Sequence, residues 1–125
     1  MMKILAVAVG GSIGAVTRYI VSTWAAGKFG PFFPYGTLIV NVVGCFIIGA
    51  FMTFATERYL ISPYWRLLVT VGFVGGLTTF SSFSYETFKL LEDSGCAAAI
   101  SNIAANCVLG FFATWLGILT ARLVG

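Results

Sequence analysis

The chain contains no histidine, and only 9% of its 125 residues are charged. The first lack removes the commonest general base and the commonest transition-metal ligand. The second excludes a water-soluble domain of this length, whose surface needs far more charge. The three cysteines, Cys45, Cys96 and Cys107, are odd in number and irregularly spaced, which suits neither a disulfide framework nor a zinc site. In apolar surroundings each behaves as a small hydrophobe. No phosphate-binding glycine loop leads into a soluble helix, so an enzyme is not expected. The net charge of +3 is spread along the chain without a basic patch, which argues against nucleic-acid binding.

What the chain does have is apolar length. Hydrophobic residues make up 59% of it, and the mean hydropathy is +1.00. Four stretches reach the roughly 20 mainly apolar residues that a membrane helix needs. They cover about 4–26, 35–56, 64–88 and 96–119. Gly27-Lys28-Phe29-Gly30-Pro31 reads as the first loop, and Glu92-Asp93-Ser94-Gly95 as the last turn. The N-terminal run behind Lys3 passes signal-peptide length without an early small-residue cleavage site, so it reads as the first span, with a retained signal anchor as the other reading. The expectation is an all-α membrane protein, one four-helix domain over residues 1–125, with short loops and antiparallel neighbours. Such a chain is too small to line a pore alone, which points to an oligomer. The basic residues give little orientation. Lys3, Arg58, Arg66 and Arg122 fall on the side of the termini, and Lys28 and Lys89 on the other. So weak a bias permits insertion both ways up.

Polar groups inside the spans are informative because lipid cannot satisfy them. Asn102, Asn106 and Thr114 in the fourth span are spaced by multiples of four and form one slowly winding stripe, with Gly110 at the missing step. The stripe reads either as a hydrogen-bonding track beside a water or ion path, or as glue between helices. Asn41 in the second span, one turn after Thr37, has an amide that can donate twice to an anion or tie two helices together. Arg18, near the end of the first span, can snorkel to the interface or stand in a vestibule and attract anions.

The third span is unusual. Gly75-Gly76 is followed by Thr78, Thr79, Ser81 and Ser82, all at mid-span. Adjacent glycines make a helix break cheap there, and the hydroxyls can satisfy freed backbone groups. Carbonyls exposed by such a break can hold a cation. Phe80 and Phe83 share a face, and ring edges turned inward are weakly positive, although ordinary packing explains two phenylalanines as well. The pairs Gly10/Gly14, Gly11/Ala15 and Gly72/Gly76 have the spacing of close helix contacts. On these boundaries no carboxylate lies near the middle of a span, since Glu57, Glu86, Glu92 and Asp93 sit at or near ends.

Taken together, three segments resemble the CrcB/Fluc family of fluoride ion channels. They are Gly10-Gly11-Ser12-Ile13-Gly14-Ala15 with Arg18-Tyr19, Gly36-Thr37-Leu38-Ile39-Val40-Asn41, and Gly75-Gly76-Leu77-Thr78-Thr79-Phe80-Ser81-Ser82-Phe83. The resemblance covers nearly the whole chain. It implies an antiparallel, dual-topology homodimer in the inner cell membrane that conducts fluoride passively and selectively out of the cytoplasm through two pores. It implies that Phe80 and Phe83 present ring edges to fluoride, with Asn41, Ser81, Ser82, Asn102, Asn106 and Thr114 along the path and Arg18 in a positive vestibule. It also implies a structural sodium ion at the dimer centre, held by main-chain carbonyls near Gly75 and Thr78. Where the family often has threonine, position 82 is serine, which keeps the hydroxyl. Two other readings stand beside this one: a small proton-coupled multidrug exporter, which needs an embedded acid such as Glu86, and a non-transporting membrane assembly protein.

Overall fold

The computed structural model describes residues 1–58 and 60–124, with only the backbone of Arg58. The Arg58 side chain, one of the charges in the orientation count, therefore lies outside the described residues. The fold is all helical. Helix α1 spans Met2–Phe29 and α2 spans Tyr35–Thr53, continuing as a π-helical segment, Phe54–Arg58. The third span is built from α3 (Pro63–Arg66), a second π-helical segment (Leu67–Val74), α4 (Gly75–Leu77) and α5 (Phe80–Ser94). Helix α6 spans Cys96–Val124. Four of these units are long and apolar enough to cross a membrane: Met2–Phe29, Tyr35–Glu57, Pro63–Ser94 and Cys96–Val124. The chain is a multi-pass membrane protein.

The turns follow from local chemistry. Pro63 occupies the first turn of α3, where its missing N–H costs nothing, and the Ser62 hydroxyl accepts from the Tyr64 N–H at 3.3 Å. Gly30 and Gly95 have φ of +87° and +102°, and each ends a helix with a sharp turn. The predicted first loop begins too early: Gly27 and Lys28 are helical, and the chain leaves the helix only at Gly30.

Packing rests on backbone contact rather than on bulky side chains. Helix α1 lies on the π-helical segment Leu67–Val74 and on α4, and α2 lies on α6. A methyl group at Gly10 would strike the Leu68 carbonyl oxygen, and one at Gly14 the Phe73 carbonyl oxygen. The two glycines are one α-helical turn apart, whereas the two carbonyls are five residues apart, one turn of a π-helix. The wider turn of the π segment thus keeps its carbonyls in step with the glycines of α1. Gly117 faces the Phe46 backbone and Gly49 the Thr114 backbone, which brings α2 and α6 together in the same way.

Many hydroxyls inside the spans donate to the carbonyl one turn back: Ser12 to Ala8, Thr17 to Ile13, Thr53 to Gly49, Thr70 to Arg66 and Ser101 to Ala97. Large apolar side chains instead point outward, among them Ile13, Val16, Val108, Phe111 and Trp115. Water does not tolerate a surface this apolar, so lipid or another protein covers it. At the end bearing the termini, Arg122 makes a two-pronged ion pair with Glu57, Nε to Oε1 at 3.0 Å and Nη2 to Oε2 at 2.8 Å.

The third span is not one continuous helix. Thr78 (φ −86°, ψ 159°) and Thr79 (φ −153°, ψ 126°) are extended between α4 and α5. The break was expected at Gly75-Gly76, but both glycines are helical. The physical reason lies in their neighbours. A methyl at Gly76 would meet the Gly11 carbonyl oxygen at 2.7 Å, so this glycine serves close packing on α1. Extended backbone suits β-branched threonine, and partners from other helices receive its polar groups.

Candidate functional site

Three helices converge on the interruption. From α2, the Asn41 amide bonds both backbone groups of Thr79: Oδ1 accepts from its N–H at 2.9 Å, and Nδ2 donates to its carbonyl at 3.2 Å. From α1, Arg18 Nε donates to the Gly76 carbonyl at 3.0 Å. The Arg18 side chain therefore turns toward the third span. Its cation sits where the carbonyls ending α4 make the local potential negative. Gly44 of α2 leaves the notch that the Thr78 methyl fills. Thr79 then caps α5, its hydroxyl oxygen accepting from the Ser82 N–H at 3.1 Å and sharing a hydrogen bond with the Ser81 hydroxyl at 3.3 Å.

These bonds free two carbonyls. In an unbroken helix the Gly75 carbonyl would receive the Thr79 N–H and the Thr78 carbonyl the Ser82 N–H. Here Asn41 takes the first donor and the Thr79 side chain takes the second. Gly75 is exposed on the surface of the chain and Thr78 is partly buried. Carbonyl oxygens without their helical donors are hard ligands of the kind that cations take.

One cavity adjoins the interruption, and a second lies beside the first. One, of about 400 Å³, is lined by Arg18, Ser22, Thr37, Thr79, Ser82 and Glu86, with Ala15 and Tyr19. The other, of about 630 Å³, also reaches Ser22, Thr37 and Glu86, and extends past Lys89 and Asp93 to the loop at Gly30–Pro34 and the first residues of α2. The two cavities share Ser22, Thr37 and Glu86, and between them they reach from Thr79 to the end of the molecule that carries the first loop. Glu86 stands where the cavities meet, and its Oε1 is buried without a hydrogen-bond partner.

The proposed residues fall into groups. Phe80 and Phe83 meet edge to face, with ring centroids 5.7 Å apart and planes at 63°. Phe80 is 78% exposed and projects away from its own chain, while Phe83 is partly buried. Ser82 lines the smaller cavity, and Ser81 is exposed. Asn41 Nδ2 donates to Asn106 Oδ1 at 3.0 Å, so both of its N–H groups are engaged by protein. Asn106 in turn donates to Asn102. Thr114 stands apart from the asparagines, two turns further along α6, and its hydroxyl donates to the Gly110 carbonyl at 3.1 Å. At Gly110 the missing step is filled from α2: Cys45 Sγ lies 3.4 Å from where a β-carbon would be.

The sequence reading left Thr37 and Thr79 out of the site and named Glu86 only for the exporter alternative. Two signals were available. Thr79 precedes a helix as a capping residue does, and Glu86 follows Ser82 by four, hence on one face.

These features define a class: a four-span membrane protein whose third span is interrupted beside a polar cavity and an exposed phenylalanine pair. The model of the family described as "CrcB-like protein, Camphor Resistance (CrcB)" matches residues 5–118. A Geobacter metallireducens protein is 49% identical over 122 residues, 98% of each chain. Relatives from Sulfurihydrogenibium (48% over 124 residues, 99% of this chain and all of the other) and Solibacter usitatus (46% over 121 residues, 97% and 99%) are similarly close. All three are named "Fluoride-specific ion channel FluC". The chain belongs to the CrcB family.

Proposed function

We propose that this chain forms a passive, fluoride-selective channel that lets fluoride leave the cytoplasm across the inner cell membrane. The observation that carries the proposal is the interruption at Thr78–Thr79. Its cavity with Arg18 ends at Ser82, next to the phenylalanine pair, in a chain about half identical to relatives named for fluoride conduction. Fluoride is small and holds its water tightly, so a selective pore replaces that water with several weak donors. Hydroxyls, amide N–H groups and ring edges do so without one deep trap, and binding that is not too tight permits exit. Arg18 raises the local anion concentration in the vestibule. The physiological benefit is escape from ion trapping: undissociated HF crosses lipid, ionises in a near-neutral cytoplasm and leaves only through a pore.

The working unit is an antiparallel homodimer of dual topology, with the break at membrane depth. Supporting this are the outward projection of Phe80, the uncovered apolar faces and the weak charge bias. A second copy completes the wall around Phe80. A structural sodium ion at the dimer centre would be held by the Gly75 and Thr78 carbonyls, whose helical donors are diverted to Asn41 and to the Thr79 hydroxyl. It would supply a positive charge that pins the two interrupted helices. Asn41, Asn106 and Thr114 complete the polar side of the path, and Asn102 stands behind them.

The test is fluoride efflux from liposomes holding the purified protein, with chloride and a Phe80→Ile variant as controls. Fast fluoride flux without chloride flux, lost in the variant, is expected. No flux from folded dimer overturns the proposal. Glu86 is the one observation that favours the alternative of a proton-coupled multidrug exporter, since it is an acid within the third span. Glu86→Gln separates the two: a channel stays passive and indifferent to an imposed proton gradient, whereas an exporter loses coupled transport altogether.

A further inference from the structure

Asn102 is completely buried, at 0% exposure, and stands on α6 between two polar partners. Its Nδ2 donates to Thr87 Oγ1 at 3.0 Å, and its Oδ1 accepts from Asn106 Nδ2 at 3.1 Å. Followed in both directions, these bonds form a circuit. The Thr79 N–H donates to Asn41 (2.9 Å), Asn41 to Asn106 (3.0 Å), Asn106 to Asn102, Asn102 to Thr87, and the Thr87 hydroxyl to the Phe83 carbonyl at 2.7 Å. The circuit leaves the third span one residue before Phe80, passes through α2 and α6, and returns to Phe83.

Its direction has only one solution. A backbone N–H can only donate and a carbonyl can only accept, so both ends are polarised by the main chain. Reversing Asn41 or Asn106 sets donor against donor and acceptor against acceptor at its junctions; reversing Asn102 sets donor against donor at Asn106 and draws the Thr87 hydroxyl away from the Phe83 carbonyl. Three amides are thereby locked in one orientation, and the last of them, Asn102, is completely buried and is not among the residues lining the two cavities. We infer that Asn102 is a positioning residue: it holds the Asn41 and Asn106 amides and, through Thr87, the first turn of the phenylalanine helix, and it does not itself meet the ion. The inference deepens the channel reading and rests on it for the role of Phe80 and Phe83.

The experiment combines fluoride efflux with hydrogen exchange of the 79–83 amides in purified protein. Thr87→Val keeps the shape and removes the hydroxyl, and Asn102→Leu removes the amide. Each is expected to slow efflux about tenfold by leaving a buried polar group unpaired. The double variant should be no slower than the worse single, as for residues acting in one network. Exchange at 79–83 should quicken in Thr87→Val and stay as in the wild type in Thr87→Ser, which restores the hydroxyl. If Asn102→Leu does not assemble, Asn102→Ser, too short to span both partners, replaces it. Loss of efflux in the Asn102 variant with normal efflux and normal exchange in Thr87→Val overturns the inference and makes Asn102 an ion contact. Wild-type protein without fluoride efflux refutes the channel reading instead, and the exchange data then decide the positioning role alone, unchanged exchange in Thr87→Val refuting it.

Discussion

The amide of Asn41 and the backbone of Thr79 close a two-bond ring, the side chain of one helix standing in for the strand partner that an extended residue ordinarily has. A backbone interruption inside a membrane is tolerated only if its N–H and C=O groups find such partners. Asn41 therefore makes the break affordable and also links it to α6.

Asn41→Asp should be worse than Asn41→Ser. Aspartate still accepts from the Thr79 N–H but sets oxygen against both the Thr79 carbonyl and Asn106 Oδ1, where the wild type donates. A loss of about 1–3 kcal/mol for each group left unpaired is expected. Thermal unfolding of the detergent-purified protein measures it, and equal stability of the two variants contradicts the assigned bonds.

Gly44→Ala places a methyl on the Thr78 methyl. We expect it to destabilise the protein by about 1–3 kcal/mol, as overpacking does. Thr78→Ser removes the obstructing group, so the double variant should recover most of that loss. An additive double variant shows that the notch does not hold the break.

Gly14→Ala should prevent stable assembly, whereas Gly11→Ala should be nearly neutral. Both belong to small-residue pairs, yet an added methyl at Gly14 strikes the Phe73 carbonyl, and at Gly11 the nearest atom is the Gly72 carbonyl oxygen at 3.9 Å. Size-exclusion profiles of the two variants check this, and matching profiles count against the packing of α1 on the π segment.

Arg18→Gln keeps an N–H donor for the Gly76 carbonyl but removes the charge. Fluoride efflux should fall severalfold at low salt, and the gap from wild type should narrow as salt screens the vestibule. A deficit independent of ionic strength assigns Arg18 a purely structural role.

Neutralising Glu57 to glutamine should leave thermal stability unchanged within experimental scatter. The Glu57–Arg122 pair is exposed at the end of the spans, where water and salt compete for both charges. A large drop would show that this end of the bundle is shielded.

Much of this architecture could be read from composition. Four apolar runs with short polar connections define four spans because lipid demands length and hydrophobicity, and both are local, additive properties. The Gly10/Gly14 and Gly72/Gly76 spacing announced close helix contact, and these glycines do make it. The position of the break was not legible from the glycine pair. Glycine in a helix marks either a weak point or a close approach, and only the position of α1 shows that Gly76 is the second. The partner of Arg18 was not legible either, because a long cationic side chain reaches either the interface or the interior, and only the structure shows its bond to the Gly76 carbonyl.

The sequence by itself determined the solvent of this protein, the number of its spans and, through three glycine- and hydroxyl-bearing segments, its family. Those are properties of residue types and their order along the chain. Tertiary structure alone decided which polar groups meet: Thr79 with Asn41, Asn102 with Thr87, Arg18 with Gly76. A polar side chain in a membrane span must be satisfied by something, but its partner lies 38, 15 and 58 residues away in these three cases. No local pattern encodes such a pairing, because it depends on how closely the glycines let the helices approach.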